Sequence, residues 1–235
     1  MDERFSDESL CARGGWSEDF TTRPSNPPIY QTTAFDLHGV EQLEAVVSGT
    51  EQGFIYTRDG NPNHSAFAQD VAKLEHANAG AVCASGMAAV SAILLSHLKS
   101  GDHVVAARVL YGRTSQQLEE LSKRFGIEVT FADSRITDEM SSAVKENTKL
   151  CLVESISNPL MEVVDLPALV DAMGNVPVVV DNTFATPCLF RPFEHGAKLV
   201  FHSASKYLNG HGDVMLGVVA GERAAVTREL PVFTG

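Results

Sequence analysis

From Lys198 to Asp213 the sequence reads K-L-V-F-H-S-A-S-K-Y-L-N-G-H-G-D. Lys198 to His202 has the character of a short strand. Ser203 and Ser205 come directly ahead of Lys206, and Gly210 and Gly212 punctuate the polar turn behind it. A lysine beside two hydroxyls, just past a buried strand, suits an amine held next to an anion. One task needing that arrangement is a Schiff base with a phosphorylated aldehyde. Poor solvation keeps the amine neutral and nucleophilic, and the hydroxyls bind the phosphate. A loop lysine is more often a solvated charge, so this reading turns on what else ends nearby.

Four further stretches carry candidate chemistry. Asp181-Asn182-Thr183 follows the run V-V-V. A carboxylate there is costly to bury unless paired, and a protonated pyridine nitrogen is a fitting cation. The alternative is a solvated strand-end acid. Ser85-Gly86-Met87 opens an apolar helix, where free amides and the helix dipole favour a phosphate, or where Ser85 serves as an ordinary N-cap. In Leu110-Tyr111-Gly112 the tyrosine either stacks on a flat ligand or packs as filler. In E-S-I-S-N-P, from Glu154 to Pro159, Asn158 either donates to a phenolate oxygen or starts the turn before Pro159. Earlier, Tyr56 and Arg58 stand two residues apart, on one side of an extended chain. They grip an anion, or they form a turn with a surface arginine. Taken together, this is an inventory for pyridoxal 5′-phosphate (PLP). No dinucleotide fingerprint and no P-loop is present.

The elements that must position these residues alternate. Ser65–Ala77 has helical spacing. Ala81–Ala84 reads as a strand, Gly86 to about Leu98 as a helix, His103–Ala107 as a strand, Arg113–Phe125 as a helix and Ile127–Ala132 as a strand. Asp138–Glu146 follows as a helix, Lys149–Val153 as a strand, Leu166–Met173 as a helix, and Pro177–Val180, Leu199–Phe201 and Leu216–Ala220 as strands. Continuous apolar strands in a βαβ series predict an α/β fold with a mainly parallel sheet covered on both faces. Ligands then bind beyond the carboxyl ends of the strands, where the residues above stand. Residues 1 to about 60, with Pro24, Pro27 and Pro28, lack strong periodicity and read as an extended arm with one short helix near Val40–Val47. An arm without its own core packs on something else, often another subunit. Residues 61–235 form the α/β domain.

Composition sets the outer bounds. The 235 residues suffice for one large domain; 44% are hydrophobic and 20% charged, which fits a soluble globular chain. The net charge of −12 argues against nucleic-acid and anionic-membrane partners. No apolar run has the length of a membrane span, and the acidic start M-D-E-R-F-S-D-E is not a secretory signal. Cys11, Cys83, Cys151 and Cys188 show no C-x-x-C spacing. They fit a reducing cytoplasm better than a disulfide framework.

The motifs P-I-Y-Q-T-T-A-F (Pro28 to Phe35), Y-T-R-D-G-N-P (Tyr56 to Pro62), A-S-G-M-A-A (Ala84 to Ala89), L-Y-G, E-S-I-S-N-P, D-N-T-F-A-T-P (Asp181 to Pro187) and H-S-A-S-K-Y-L-N-G-H-G-D (His202 to Asp213) occur in this order. The sequence thereby resembles the Cys/Met-metabolism PLP enzymes: cystathionine γ-synthase, cystathionine γ-lyase, methionine γ-lyase and O-acetylhomoserine sulfhydrylase. The resemblance implies the large domain of an aspartate-aminotransferase-type, PLP-dependent transferase-like fold. It implies γ-elimination or γ-replacement on sulfur amino acids or O-acylhomoserine. It also implies catalytic roles for Lys206, Tyr111 and Asp181: covalent cofactor attachment with proton transfer, ring stacking with acid–base work, and pairing with the pyridine nitrogen. Ser85, Gly86, Met87, Ser203 and Ser205 bind the phosphate, Asn158 and Thr183 touch the ring, and Tyr56 and Arg58 reach the cofactor of a neighbouring subunit in a homodimer or homotetramer. Three positions depart from the family pattern: Ser205 replaces a threonine, Lys198 an acidic residue, and Arg113 a small residue or cysteine. Arg113 is thereby a candidate for a substrate carboxylate. Family members continue into a C-terminal domain near where this sequence stops. That sets a PLP-binding but catalytically impaired homologue beside the enzyme reading.

Overall fold

In a computed structural model the described residues are 25–226. The chain forms helices α1 (Val40–Ser48) and α2 (Pro62–Leu74), then β1 (Ala79–Cys83), α3 (Gly86–His97), β2 (His103–Ala107), α4 (Gly112–Phe125), β3 (Glu128–Ala132), α5 (Thr137–Ser142) and β4 (Thr148–Glu154). After these come α6 (Leu166–Met173), β5 (Val178–Asp181), α7 (Thr186–Leu189), a 3-10 turn (Pro192–His195), β6 (Leu199–Ser203) and β7 (Gly217–Gly221). The seven strands make one sheet in the order β1-β7-β6-β5-β4-β2-β3. β2 to β6 pair in parallel, and β7 runs antiparallel to both β1 and β6.

The α/β expectation holds, with small differences at the ends of elements. The helix expected over Asp138–Glu146 stops at Ser142, where the chain turns toward β4. Neither α7 nor the 3-10 turn was expected; both are single turns carrying a proline in the first turn, too short to show periodicity. Apolar strand runs explain the core. Val104 to Ala107, Leu150 to Val153, Val178 to Val180 and Leu199 to Phe201 are all buried, as helices on both faces require. Cys83 and Cys151 lie within this core as free thiols, and burial raises their pKa to about 11 and about 12. Cys188 is a free, exposed thiol, and Cys11 lies outside the described residues.

No residue between 25 and 60 is buried, and α1 buries none of its side chains. The described part of the arm thus has no core of its own. It is tied down by Phe35 N to Ile55 O, Thr57 N to Thr33 O and Asn61 Nδ2 to Tyr30 O.

Two glycines set how closely α3 approaches the sheet. A Cβ on Gly86 would lie 2.7 Å from Ser203 Cβ, and one on Gly217 would lie 2.1 Å from the Ser85 carbonyl oxygen. The second neighbour is backbone and cannot rotate aside. Gly217→Ala is therefore expected to destabilise by about 3 kcal/mol in chemical denaturation. Gly212→Ala, whose added Cβ meets nothing within 4 Å, should change stability by less than about 0.5 kcal/mol.

Candidate active site

The register of the parallel strands builds the floor of the site. Glu154 on β4 pairs with Asp181 on β5, and Asp181 with Phe201 on β6. Registered neighbours in a sheet share a face, so these three side chains form one row at the carboxyl ends of the strands. They line a cavity of about 320 Å³ together with Ser85, Gly86, Met87, Tyr111, Asn158, Thr183, Ser203, Ser205 and Lys206. Ten expected site residues thus converge on one cavity: Lys206, Asp181, Tyr111, Asn158, Thr183, Ser85, Gly86, Met87, Ser203 and Ser205.

Asp181 is oriented from within its own turn. One carboxylate oxygen accepts from Thr183 N at 2.9 Å and from Thr183 Oγ1 at 2.5 Å. The Thr183 hydroxyl in turn accepts from Ser203 N at 2.8 Å, which locks the end of β6 to the end of β5. Burial pushes the Asp181 pKa up, while the Thr183 bonds and the His202 imidazole oppose the rise. A buried acid so held fits a protonated ring nitrogen, which would stabilise its charged form.

At the start of α3, Ser85 Oγ accepts from Ala88 N at 3.1 Å. The N-cap role of Ser85 is thus realised, and α3 presents the first-turn amides of Gly86 and Met87 toward the cavity. Ser203 Oγ makes no hydrogen bond among the described residues. Ser205 Oγ instead accepts from Leu216 N at 2.8 Å and donates to Leu216 O at 3.3 Å, fixing the lysine turn against the start of β7. Lys206 is exposed along much of its length, borders the cavity, and makes no ion pair among the described residues. Two free amides, a free hydroxyl, an uncommitted amine and a buried acid fit PLP from phosphate to ring nitrogen.

Three expected residues lie elsewhere. Arg113 stands in the first turn of α4 with Nη1 donating to Gln116 Oε1 at 2.9 Å, outside the cavity lining. Tyr56 and Arg58 are together, the guanidinium 4.9 Å from the ring centroid, but on the exposed arm. Arg58 also pairs with Asp59 at 3.3 Å. Lys198 pairs with Glu222 at the amino end of β6, away from the cavity.

Glu154 was not singled out as a candidate, and it ties the cavity wall together. Its Oε1 accepts from Tyr111 N at 2.6 Å and its Oε2 from Asn158 N at 2.9 Å. One carboxylate thus anchors the backbone of both Tyr111 and Asn158. Its pKa rises to about 7, through burial first and the neighbouring Asp181 second. An acid ending an apolar strand was the available signal; it had drawn attention to Asp181 alone.

A sequence profile described as "Cys/Met metabolism PLP-dependent enzyme" matches residues 8–234. The chain belongs to this family. It is 44% identical over 198 residues to L-methionine gamma-lyase of Porphyromonas gingivalis, covering 83% of this chain and 50% of that protein. It is 37% identical over 225 residues to cystathionine gamma-lyase of Bacillus subtilis, covering 95% and 57%. Among solved structures, a putative O-acetylhomoserine (thiol)-lyase of Campylobacter jejuni carrying a pyridoxyl-lysine phosphate aligns with a TM-score of 0.87 at 34% identity, over 93% of this chain and 55% of that one. The metB protein of Corynebacterium glutamicum aligns with a TM-score of 0.91 at 35% identity, over 99% and 59%. The chain spans about half the length of the curated relatives it matches.

The raised pKa of Glu154 has a definite sign in stability. Between its unfolded value of 4.5 and its folded value of about 7, the folded chain keeps a proton that the unfolded chain has released. Unfolding free energy therefore falls as pH rises through that window. The cofactor-free chain should lose about 3 kcal/mol relative to Glu154→Gln between about pH 4.5 and pH 8. Denaturant titrations of both proteins across that range would show the difference, or show parallel curves and refute it.

Proposed function

We propose that this chain supplies the cofactor-binding part of a PLP-dependent enzyme that eliminates or replaces the γ-substituent of sulfur amino acids or of O-acylhomoserine. The observation that carries the reading is the convergence of Lys206, Asp181 and the α3 amides on one cavity. When bound, PLP supplies an electron-accepting ring conjugated to the substrate's α-carbon. The residues of the chain do the rest. Lys206 would hold the cofactor through its amine and, once the substrate's own amine takes its place, would be free to move protons between the substrate's α- and β-carbons. Asp181, held by Thr183, keeps the ring nitrogen protonated. Gly86, Met87 and Ser203 bind the phosphate, with Ser205 bracing the turn beneath it. Tyr111 would cover the ring and give a proton to the departing γ-group, and Asn158 would donate to the ring oxygen.

The site is completed, in this reading, by a second copy of the chain. Tyr56 and Arg58 sit on a coreless, exposed segment and reach a neighbour's phosphate more readily than their own. The smallest active unit is then a homodimer or homotetramer. The buried free thiols of Cys83 and Cys151 support a reducing, cytoplasmic setting.

A second reading, cofactor binding without turnover, is favoured by one observation. Lys206 is the only cation among the residues lining the cavity, so none of the described residues is placed there for a substrate α-carboxylate.

Borohydride reduction in the presence of PLP, followed by peptide mass spectrometry, should place a pyridoxyl group on Lys206; a modification elsewhere would sink the assignment. Methionine, cystathionine and O-acylhomoserine then separate the two readings. Release of ammonia and a 2-oxo acid from any of them supports the enzyme, and bound cofactor with no turnover supports the second reading. Mixing Lys206→Ala chains with Arg58→Ala chains should restore cofactor binding lost by each alone. No restoration would refute the shared site.

A further inference from the structure

Beneath the cavity floor lies a second polar layer on the opposite face of the sheet. Glu75, directly after α2, is fully buried, and so are His202 and Asn182. Glu75 Oε1 accepts from His202 Nε2 at 2.7 Å and from Asn182 Nδ2 at 2.8 Å. Asn182 Nδ2 is shared with Phe190 O at 2.8 Å. Among the described residues, Glu75 Oε2, Asn182 Oδ1 and His202 Nδ1 have no hydrogen-bond partner. Two apolar neighbours adjoin it: Glu75 N donates to Val71 O at 2.9 Å, and Val218 pairs with His202 across β6 and β7.

Such a cluster is a poor device for stability. Apolar residues of similar volume commonly hold a core as well as a buried ion pair does, or better. Its position suggests a different use. Asn182 follows Asp181, and His202 precedes Ser203. Side chains alternate faces along a strand, so Asp181 and Ser203 face the cavity while their neighbours meet Glu75 behind it. The cavity-side link from Asp181 through Thr183 to Ser203 N is thereby matched by a link on the other face through Glu75.

We propose that Glu75 and His202 are positioning residues for the cofactor-facing carboxylate of Asp181. Glu75 orients the imidazole, and through His202 and Asn182 it ties the ends of β6 and β5 together behind the cavity floor. Burial drives Asp181 toward its neutral form, and His202 is the titratable group that opposes this. The other ionisable groups lining the cavity with Asp181 are Glu154 on β4, Lys206 and Tyr111. Without His202, Asp181 must give up a proton on meeting a protonated ring, and the penalty grows as pH falls.

The inference rests on the PLP reading, and one experiment separates their failures. PLP affinity of the 235-residue chain is followed by cofactor absorption at about pH 6 and about pH 8.5, for the wild type, His202→Gln, and the double variant Glu75→Leu with His202→Met. The double variant leaves no orphaned charge in the core. Both variants should bind about tenfold more weakly than wild type at the lower pH and within about threefold at the higher, because Asp181 then holds its proton more readily. A wild type that binds at neither pH sinks the cofactor reading itself. A wild type that binds, with variants that match it or lose affinity equally at both pH values, overturns the positioning role. A double variant that fails to fold overturns it too, because the pair would then serve the core.

Discussion

The constraint on which the rest depends is the burial of two carboxylates side by side. Glu154 and Asp181 are registered neighbours at the carboxyl edge of a parallel sheet, and Asp181 adds to the burial cost of ionising Glu154. A fold tolerates such a pair only by surrounding it with donors or with a cation. Two backbone amides serve Glu154, and the amide and hydroxyl of Thr183 serve Asp181. These donors come from three separate strand–loop junctions, so satisfying the acids also fixes the cavity walls. Polar satisfaction and the construction of the site are one event here. The one unmet need is a positive charge against Asp181, which a protonated pyridine ring answers.

The antiparallel strand β7 has a bearing on the same edge. It closes the sheet between β1 and β6, and its first residue, Gly217, passes directly beneath the Ser85 carbonyl. Leu216, just before it, exchanges two bonds with Ser205 Oγ. The turn that carries Lys206 is thereby held between the end of β6 and the start of β7. The start of α3 is pressed onto the same place by two side-chain-free contacts. A lysine in a turn is ordinarily mobile; this one is mounted on a braced frame.

Much of this was legible in the sequence because the signals were local. Apolar strand runs ending in Asp181 or leading to Lys206 announce a parallel sheet and its ligand edge, and the Ser85 cap is readable from three residues. Glu154 escaped notice because its partners are amides, which carry no sequence signature. Glu75 was invisible for a different reason: its partner His202 is 127 residues away, and no pattern within α2 marks it. Arg113 was placed near the cavity by its proximity to Tyr111 in sequence. Tyr111, however, is the non-helical cap before α4, while Arg113 already lies on the helix, where it meets Gln116 one turn on instead. The short α7 and the 3-10 turn had too few residues for any period to show.

The charge balance of the cavity bears on why the arm matters. The chain carries a net charge of −12, and the cavity itself holds two acids against one lysine. A phosphate entering there meets a field that opposes it. The helix terminus offers about 0.3–1 kcal/mol, up to about 2 in a partly buried setting, and the neutral hydroxyl of Ser203 adds a single hydrogen bond. Lys206 does not add its charge freely, since the same amine must bond the aldehyde. A guanidinium brought in from outside the cavity would restore the balance, and guanidinium is suited to bidentate phosphate contact. In the proposed shared site Arg58 would be that group: it lies on an exposed segment, over the Tyr56 ring and, among the described residues, paired with Asp59, an exposed contact of little energetic worth. Electrostatics alone thus gives a reason for the site to be shared between two copies of the chain, independent of any apolar contact between them.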